Sequence, residues 1–101
     1  MLPVNETYIF SGKNGKEYIV EIDIFHTANR RMFTEGISAT FRLFEIDEFA
    51  EKELVYLIDN HEPFGFHEHD ELPKNRESRI SLRVRNWQEA WNIFQMKCKE
   101  K

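Results

Sequence analysis

Residues 17–25 read EYIVEIDIF, and their alternation of side chains decides the fold class. Strict alternation over this length predicts a β-strand with one buried face. In an extended chain Tyr18, Val20, Ile22 and Ile24 lie on one side, and Glu17, Glu21, Asp23 and Ile19 lie on the other. The pair Asn14-Gly15 precedes this strand and accepts positive φ in a tight turn. The sequence therefore predicts a hairpin at its start.

Further strands are predicted at residues 37–46, 54–59 and 79–85. In the last of these, Ile80, Leu82 and Val84 are expected to point inward. Asn86 then begins a helix, because Glu89 follows it at the spacing of a capping box. An apolar stripe runs along this helix through Trp87, Ala90, Trp91, Phe94 and Cys98. The prediction is an α+β fold: an antiparallel sheet of about five strands with one C-terminal amphipathic helix packed on one face. The opposite face is predicted to be polar and largely free.

Composition limits the class of protein. The 101 residues are 41% hydrophobic and 32% charged, which is typical of one folded domain spanning residues 1–101. The net charge of -4 excludes a wholly basic nucleic-acid coat. Cys98 is alone and forms no internal disulfide, and the start MLPVNETYIF lacks the pattern of a signal peptide. We therefore expect a cytoplasmic protein with no membrane segment.

A polar stretch in the second half carries most of the chemistry. His61, His67 and His69 fall within nine residues and follow Asp59 and Asn60. In an extended segment, side chains 67 and 69 project to the same side and can address one ligand. These five residues are the catalytic candidates. The pattern predicts a polar loop in which His67 and His69 are the general acid and base, with no metal and no cofactor.

Two other interpretations of this stretch stay open. His67 and His69 can instead be metal ligands, with His61, Asp59 or Asp70 completing the set. The stretch can also be a solvated connection between strands. Pro63 and Gly65 indicate that regular strand pairing lapses before residue 67.

A basic segment at residues 74–85 follows directly. Arg79 and Arg83, with Arg42 from a neighbouring strand, are candidates for phosphate binding on the polar sheet face. Guanidinium groups beside imidazoles are what phosphodiester cleavage requires, since cations stabilise the developing charge. The alternative is that these cations form cross-strand pairs with the acidic side chains of residues 17–23.

The order of features resembles a known family. The strand ATFRLF (39–44) precedes YLIDN (56–60), HEH (67–69) follows, and an aromatic helix WQEAWNIF (87–94) ends the pattern. This resembles the TumE-type toxins of type II toxin–antitoxin modules over residues 37–95. The resemblance implies a growth-inhibiting toxin that acts on RNA, encoded beside a helix-turn-helix antitoxin. It assigns Asp59, Asn60, His67 and His69 to the motif.

Two functions from different classes are predicted. The first is a toxin-like, RNA-directed protein that cleaves RNA without metal, using the histidine pair and nearby arginines. The second is a small acidic binding protein, such as an immunity protein, an antitoxin or a nuclease inhibitor. Its interface would be the acidic stretch 45–53, which carries five carboxylates, together with the free sheet face.

Overall fold

Six strands form one antiparallel sheet in which neighbours in sequence are neighbours in space. The computed structural model describes residues 2–33 and 35–101. The strands are β1 (Val4–Ser11), β2 (Glu17–His26), β3 (Ile37–Ile46), β4 (Lys52–Asp59), β5 (His67–His69) and β6 (Ile80–Ser81), and one helix, α1 (Trp87–Lys99), follows them. The predicted α+β fold is confirmed, with six strands instead of about five. In the described part of the chain, no helix has the length and apolar character needed to cross a bilayer.

The helix covers one face of the sheet. The buried side chains of this core face are Tyr18, Val20, Ile22, Ile24, Ala39, Phe41, Leu43, Tyr56 and Ile58. Phe94 of α1 is fully buried against them, with its ring centroid 5.6 Å from those of both Phe41 and Tyr56. Trp87 and Trp91 pack at the border of this cluster and stay partly exposed. The predicted apolar stripe of the helix therefore faces the sheet.

Local signals placed the turn and the helix start correctly. Gly15 has a φ of +81°, and its N–H donates to the Gly12 carbonyl at 3.1 Å, which closes the predicted hairpin. The Asn86 side chain accepts a hydrogen bond from the Glu89 N–H at 3.0 Å. The Glu89 carboxylate reaches back to the N–H of Arg85, one residue before the cap. The capping interaction thus spans one residue more than the sequence pattern implies.

Two predictions near the end of the sheet are wrong. The strand expected at residues 79–85 contains only Ile80 and Ser81, and Ile80 is exposed. Residues 67–69, expected in a loop, form β5. The two errors have one cause, since β5 has three residues and offers β6 few backbone partners. Leu82 and Val84 pack against the core, as their spacing predicts. They do so without forming the expected strand.

The face of the sheet that points away from α1 has two parts. Across β2, β3 and β4 it carries cross-strand ion pairs, of which Asp23–Arg42 at 3.7 Å and Glu21–Lys52 at 2.9 Å are examples. At β5 the prediction of a free face is wrong, because His67 is fully buried there. The connection between β4 and β5 covers this end of the sheet.

Phe94→Ala should destabilise the protein by ~3–5 kcal/mol, because it removes a large buried aromatic ring and leaves a cavity against the sheet. Met96, two residues later, is 66% exposed, so Met96→Ala is the matched control and should change stability by less than about 0.5 kcal/mol. Urea denaturation of both variants measures the difference. Equal losses in the two would show that α1 does not pack through Phe94.

Candidate functional site

The pairing of β4 with β5 brings the predicted residues together. Asp59 lies opposite His67, and Leu57 lies opposite His69. Ile58, between Asp59 and Leu57, points into the core, so these four side chains lie on the face away from α1. The imidazole centroids of His67 and His69 are 5.0 Å apart. The two histidines therefore project to the same side, as expected from their spacing.

Asn60 fixes the point at which the chain leaves β4. Its side-chain amide donates to the Ile37 carbonyl at 2.8 Å and accepts from the Ala39 N–H at 3.0 Å. These are the bonds that a neighbouring strand would make, and they continue the ladder past the last β3–β4 pair, Thr40 with Asp59. Both polar ends of the amide are thus engaged with backbone. The structure places Asn60 beside the site as a support for the loop that follows.

The loop at residues 60–66 folds over His67. The His61 and Phe64 rings stand edge-on to the His67 ring, with centroids 5.0 Å and 5.5 Å away. His67 has no exposed surface, and His69 is 6% exposed. The prediction that these two histidines lie in a solvated polar loop is wrong. The His61 and Phe64 rings of the preceding loop cover His67.

Each of the two clustered imidazoles has one nitrogen beside a backbone carbonyl. The Nδ1 of His67 lies 2.8 Å from the Gly65 carbonyl oxygen, and the Nδ1 of His61 lies 3.3 Å from that of Glu62. A carbonyl only accepts, so Nδ1 of His67 carries the proton and Nε2 presents a lone pair. Burial lowers the pKa of His67, and the Gly65 carbonyl and the Asp59 carboxylate oppose this only in part. His67 is therefore neutral at pH 7.

Asp59, His61 and His67 form a compact three-residue cluster. One ligand-type atom of each lies within 4.8 Å of the other two. The Asp59 Oδ2 and the His61 Nε2 are 3.6 Å apart, and these two side chains are 22% and 28% exposed. A solute can therefore reach the carboxylate and one imidazole while the second imidazole stays buried. We call these three residues the Asp-His-His cluster.

His69 is outside this cluster. Its Nδ1 is buried and has no hydrogen-bond partner among the described residues, and the side chain lines a groove of about 500 Å³ with Leu57, Leu72 and Arg76. Asp70, the other acidic ligand considered for a metal, is exposed at the end of β5. The predicted pair of His67 and His69 is thus split between two environments. The His61 and His69 rings both lie 5.0 Å from the His67 ring, and of the two His61 belongs to the cluster with Asp59.

The three predicted phosphate-binding arginines lie in different places. The Arg79 guanidinium sits 4.5 Å from the centroid of the Phe64 ring, which itself contacts the His61 and His67 rings. Arg83 is exposed in the segment between β6 and α1. Arg42 lies on β3, two strands from β5, and pairs with Asp23 of β2. Of the three, Arg79 is the one that lies beside the cluster, through its contact with the Phe64 ring.

Two groups outside the predicted set of site residues belong to this site. The Phe64 ring is 42% exposed and links Arg79 to the imidazoles, a role that its position beside Gly65 does not reveal. The Gly65 carbonyl orients His67, and backbone acceptors leave no mark in a sequence. The sequence signal available is the glycine itself, two residues before His67, because glycine readily adopts the positive φ of +60° that this turn has at Gly65.

Asn60→Ala should lower stability by ~1–3 kcal/mol, because it leaves the buried Ala39 N–H and the Ile37 carbonyl without partners. Asn92 lies on the exposed side of α1, and Asn92→Ala should change stability by less than about 0.5 kcal/mol. Thermal or urea unfolding of both variants tests this role. If Asn60→Ala unfolds like the wild type, the amide does not support the loop.

The site therefore combines a carboxylate, two imidazoles, an aromatic ring and a guanidinium within one end of the sheet. A carboxylate with imidazoles can transfer protons or coordinate a metal ion, and a guanidinium can bind an anion. Comparisons of the chain with protein-family models, with curated proteins and with solved structures found no match.

Proposed function

We propose that the protein cleaves RNA at the Asp-His-His cluster. The observation that carries this proposal is the position of Arg79, which stacks on Phe64 beside His61 and His67. A guanidinium holds a phosphate by charge-assisted hydrogen bonds, and an exposed aromatic ring offers a stacking surface to an unpaired base. Single-stranded RNA presents both groups together.

The cluster supplies the chemistry of cleavage through its exposed members. His67 has no exposed surface, so Asp59 and His61 are the members that a phosphodiester reaches. Phosphodiester cleavage needs either groups that transfer protons or a metal ion that polarises the phosphate. Asp59 and His61 serve in both cases. This differs from a mechanism in which His67 and His69 act as acid and base, since that mechanism requires both to touch the substrate.

The resemblance to TumE-type toxins agrees with this proposal. Asp59 and His67, which match the family's motif positions, are both members of the cluster, and Asn60 supports its loop. The proposed role is that of a growth-inhibiting toxin in the cytoplasm, with RNA as substrate and a helix-turn-helix antitoxin as protein partner.

A second candidate function is a non-catalytic binding protein of the immunity or inhibitor class. One observation favours it: the Phe49 ring is 77% exposed at the turn between β3 and β4. Phe49 is flanked in the sequence by the acidic residues Asp47, Glu48 and Glu51. An exposed aromatic side chain among carboxylates suits contact with a basic protein. This candidate requires no role for the Asp-His-His cluster.

Asp59→Asn and His61→Ala should each reduce RNA cleavage by ~10²–10⁴-fold, because each removes an exposed group on which the reaction depends. Growth inhibition on expression should fall in parallel. His26→Ala is the matched control, since His26 is an exposed histidine at the end of β2 and faces the other side of the sheet. Wild-type protein that neither slows growth nor cuts RNA would favour the binding candidate.

Arg79→Gln should weaken binding of single-stranded RNA and lower the slope of log K against log salt by about 0.7, the value for one lost phosphate contact. Arg42→Gln removes one positive charge, as Arg79→Gln does. It should leave the slope at the wild-type value, because Arg42 already pairs with Asp23. Binding isotherms at several salt concentrations give both slopes. Equal effects of the two substitutions would show that the response reflects net charge alone.

A further inference from the structure

Both imidazoles of the Asp-His-His cluster are oriented as metal ligands are. His67 and His61 each place Nδ1 against a backbone carbonyl, of Gly65 and Glu62 respectively. The Nε2 of His61 faces the Asp59 carboxylate at 3.6 Å. In metal sites, a histidine characteristically donates its second ring N–H to a carbonyl or carboxylate, which fixes the tautomer and directs the other nitrogen to the ion.

One nitrogen of the cluster lacks a partner. The Nε2 of His67 is buried, and no described residue forms a hydrogen bond with it. Buried side-chain polar atoms in folded proteins have partners in the large majority of cases, and an exception calls for an explanation. A bound cation shared with Asp59 and His61 would satisfy this nitrogen. The unpartnered nitrogen belongs to one of the three grouped residues, and each of the two observations separately favours a bound cation.

The spacing of the cluster is close to that of a tetrahedral site. Ligand bonds of 2.0–2.2 Å place neighbouring ligand atoms about 3.4 Å apart. The Asp59 and His61 atoms, at 3.6 Å, already have nearly this separation. The ligand atoms of all three residues lie within 4.8 Å of one another, so a bound ion would draw them closer together.

We propose that Asp59, His61 and His67 bind one divalent transition-metal ion, for which Zn²⁺ is the representative. Two imidazole nitrogens and one carboxylate oxygen suit zinc or iron and do not suit magnesium or calcium, which prefer oxygen ligands. Three protein ligands leave a position for water or a phosphate oxygen, on the side where Asp59 and His61 are exposed. The part played by the ion in RNA cleavage rests on the proposed function, and its binding does not.

Calorimetric titration of the full chain, without a histidine tag and after chelator treatment, tests the proposal with Zn²⁺. One ion should bind per chain, and Co²⁺ should bind at the same stoichiometry with the absorption spectrum of a low-coordinate site. Asp59→Asn and His61→Gln should each weaken Zn²⁺ binding at least about 100-fold, whereas His26→Gln should bind as the wild type does. His67→Gln should behave like His61→Gln in protein whose circular dichroism matches that of the wild type.

Three outcomes would contradict the metal site. No Zn²⁺ binding by the wild type, or the same loss in His26→Gln as in His61→Gln, would overturn the metal site and assign any bound ion to surface histidines. Zn²⁺ binding that is unchanged in both single variants, Asp59→Asn and His61→Gln, would also overturn the metal site. Because Asp59 and His61 are partly exposed, these two variants give an answer even where His67→Gln does not fold.

RNA cleavage is measured in parallel on stripped and Zn²⁺-loaded protein, so the two proposals fail separately. Binding of one Zn²⁺ by a protein that does not cut RNA in either state would overturn the proposed function and leave the metal site standing. Cleavage by stripped protein that binds no Zn²⁺ would overturn the metal site and leave the function standing. Cleavage that appears only on loading, and is lost in His61→Gln, supports both.

Discussion

The register between β4 and β5 is the constraint on which the site depends. It sets Asp59 opposite His67 and turns both away from the helix. A shift of one residue would send His67 and His69 into the core face and bring Glu68 to the site, because side chains alternate with a period of two. The Tyr56 hydroxyl donates to the Glu68 carboxylate on the helix side, which adds a side-chain contact to the three backbone pairs that hold this register. Burial and this carboxylate raise the pKa of Tyr56, so its hydroxyl remains protonated.

Much of the fold was predictable because its long elements carry repeated signals. β2 and β3 have ten residues each, enough for alternation to show which side chains are buried. The helix has both a cap and an apolar stripe. β5 has three residues, two of them histidine and one glutamate, and neither length nor composition marks it as a strand. Its existence depends on tertiary pairing with β4. The error at residues 79–85 follows, since a strand cannot extend beyond the backbone partners that its neighbour offers.

The candidate site was predictable in its membership and not in its arrangement. Asp59, His61 and His67 lie within nine residues, so sequence proximity alone drew attention to them. Which histidine joins Asp59 and His67 in the cluster depends on how the loop at residues 60–66 folds back, and Asn60 anchors the start of that loop to the backbone of β3. Sequence patterns contain no record of such bonds. Burial was missed for the same reason, because the rings that cover His67 come from a loop whose Pro and Gly residues indicate exposure.

The two faces of the sheet bury different kinds of side chain. The face under α1 buries apolar side chains, whose removal from water stabilises the fold. At the other face, one ring nitrogen of the buried His67 has no hydrogen-bond partner within residues 2–33 and 35–101, which costs free energy. Proteins retain unfavourable groups of this kind chiefly at functional sites, where a ligand satisfies them. Asn60 and β5 hold the covering loop at its two ends, beside the cluster. The apolar core under the helix offsets this cost.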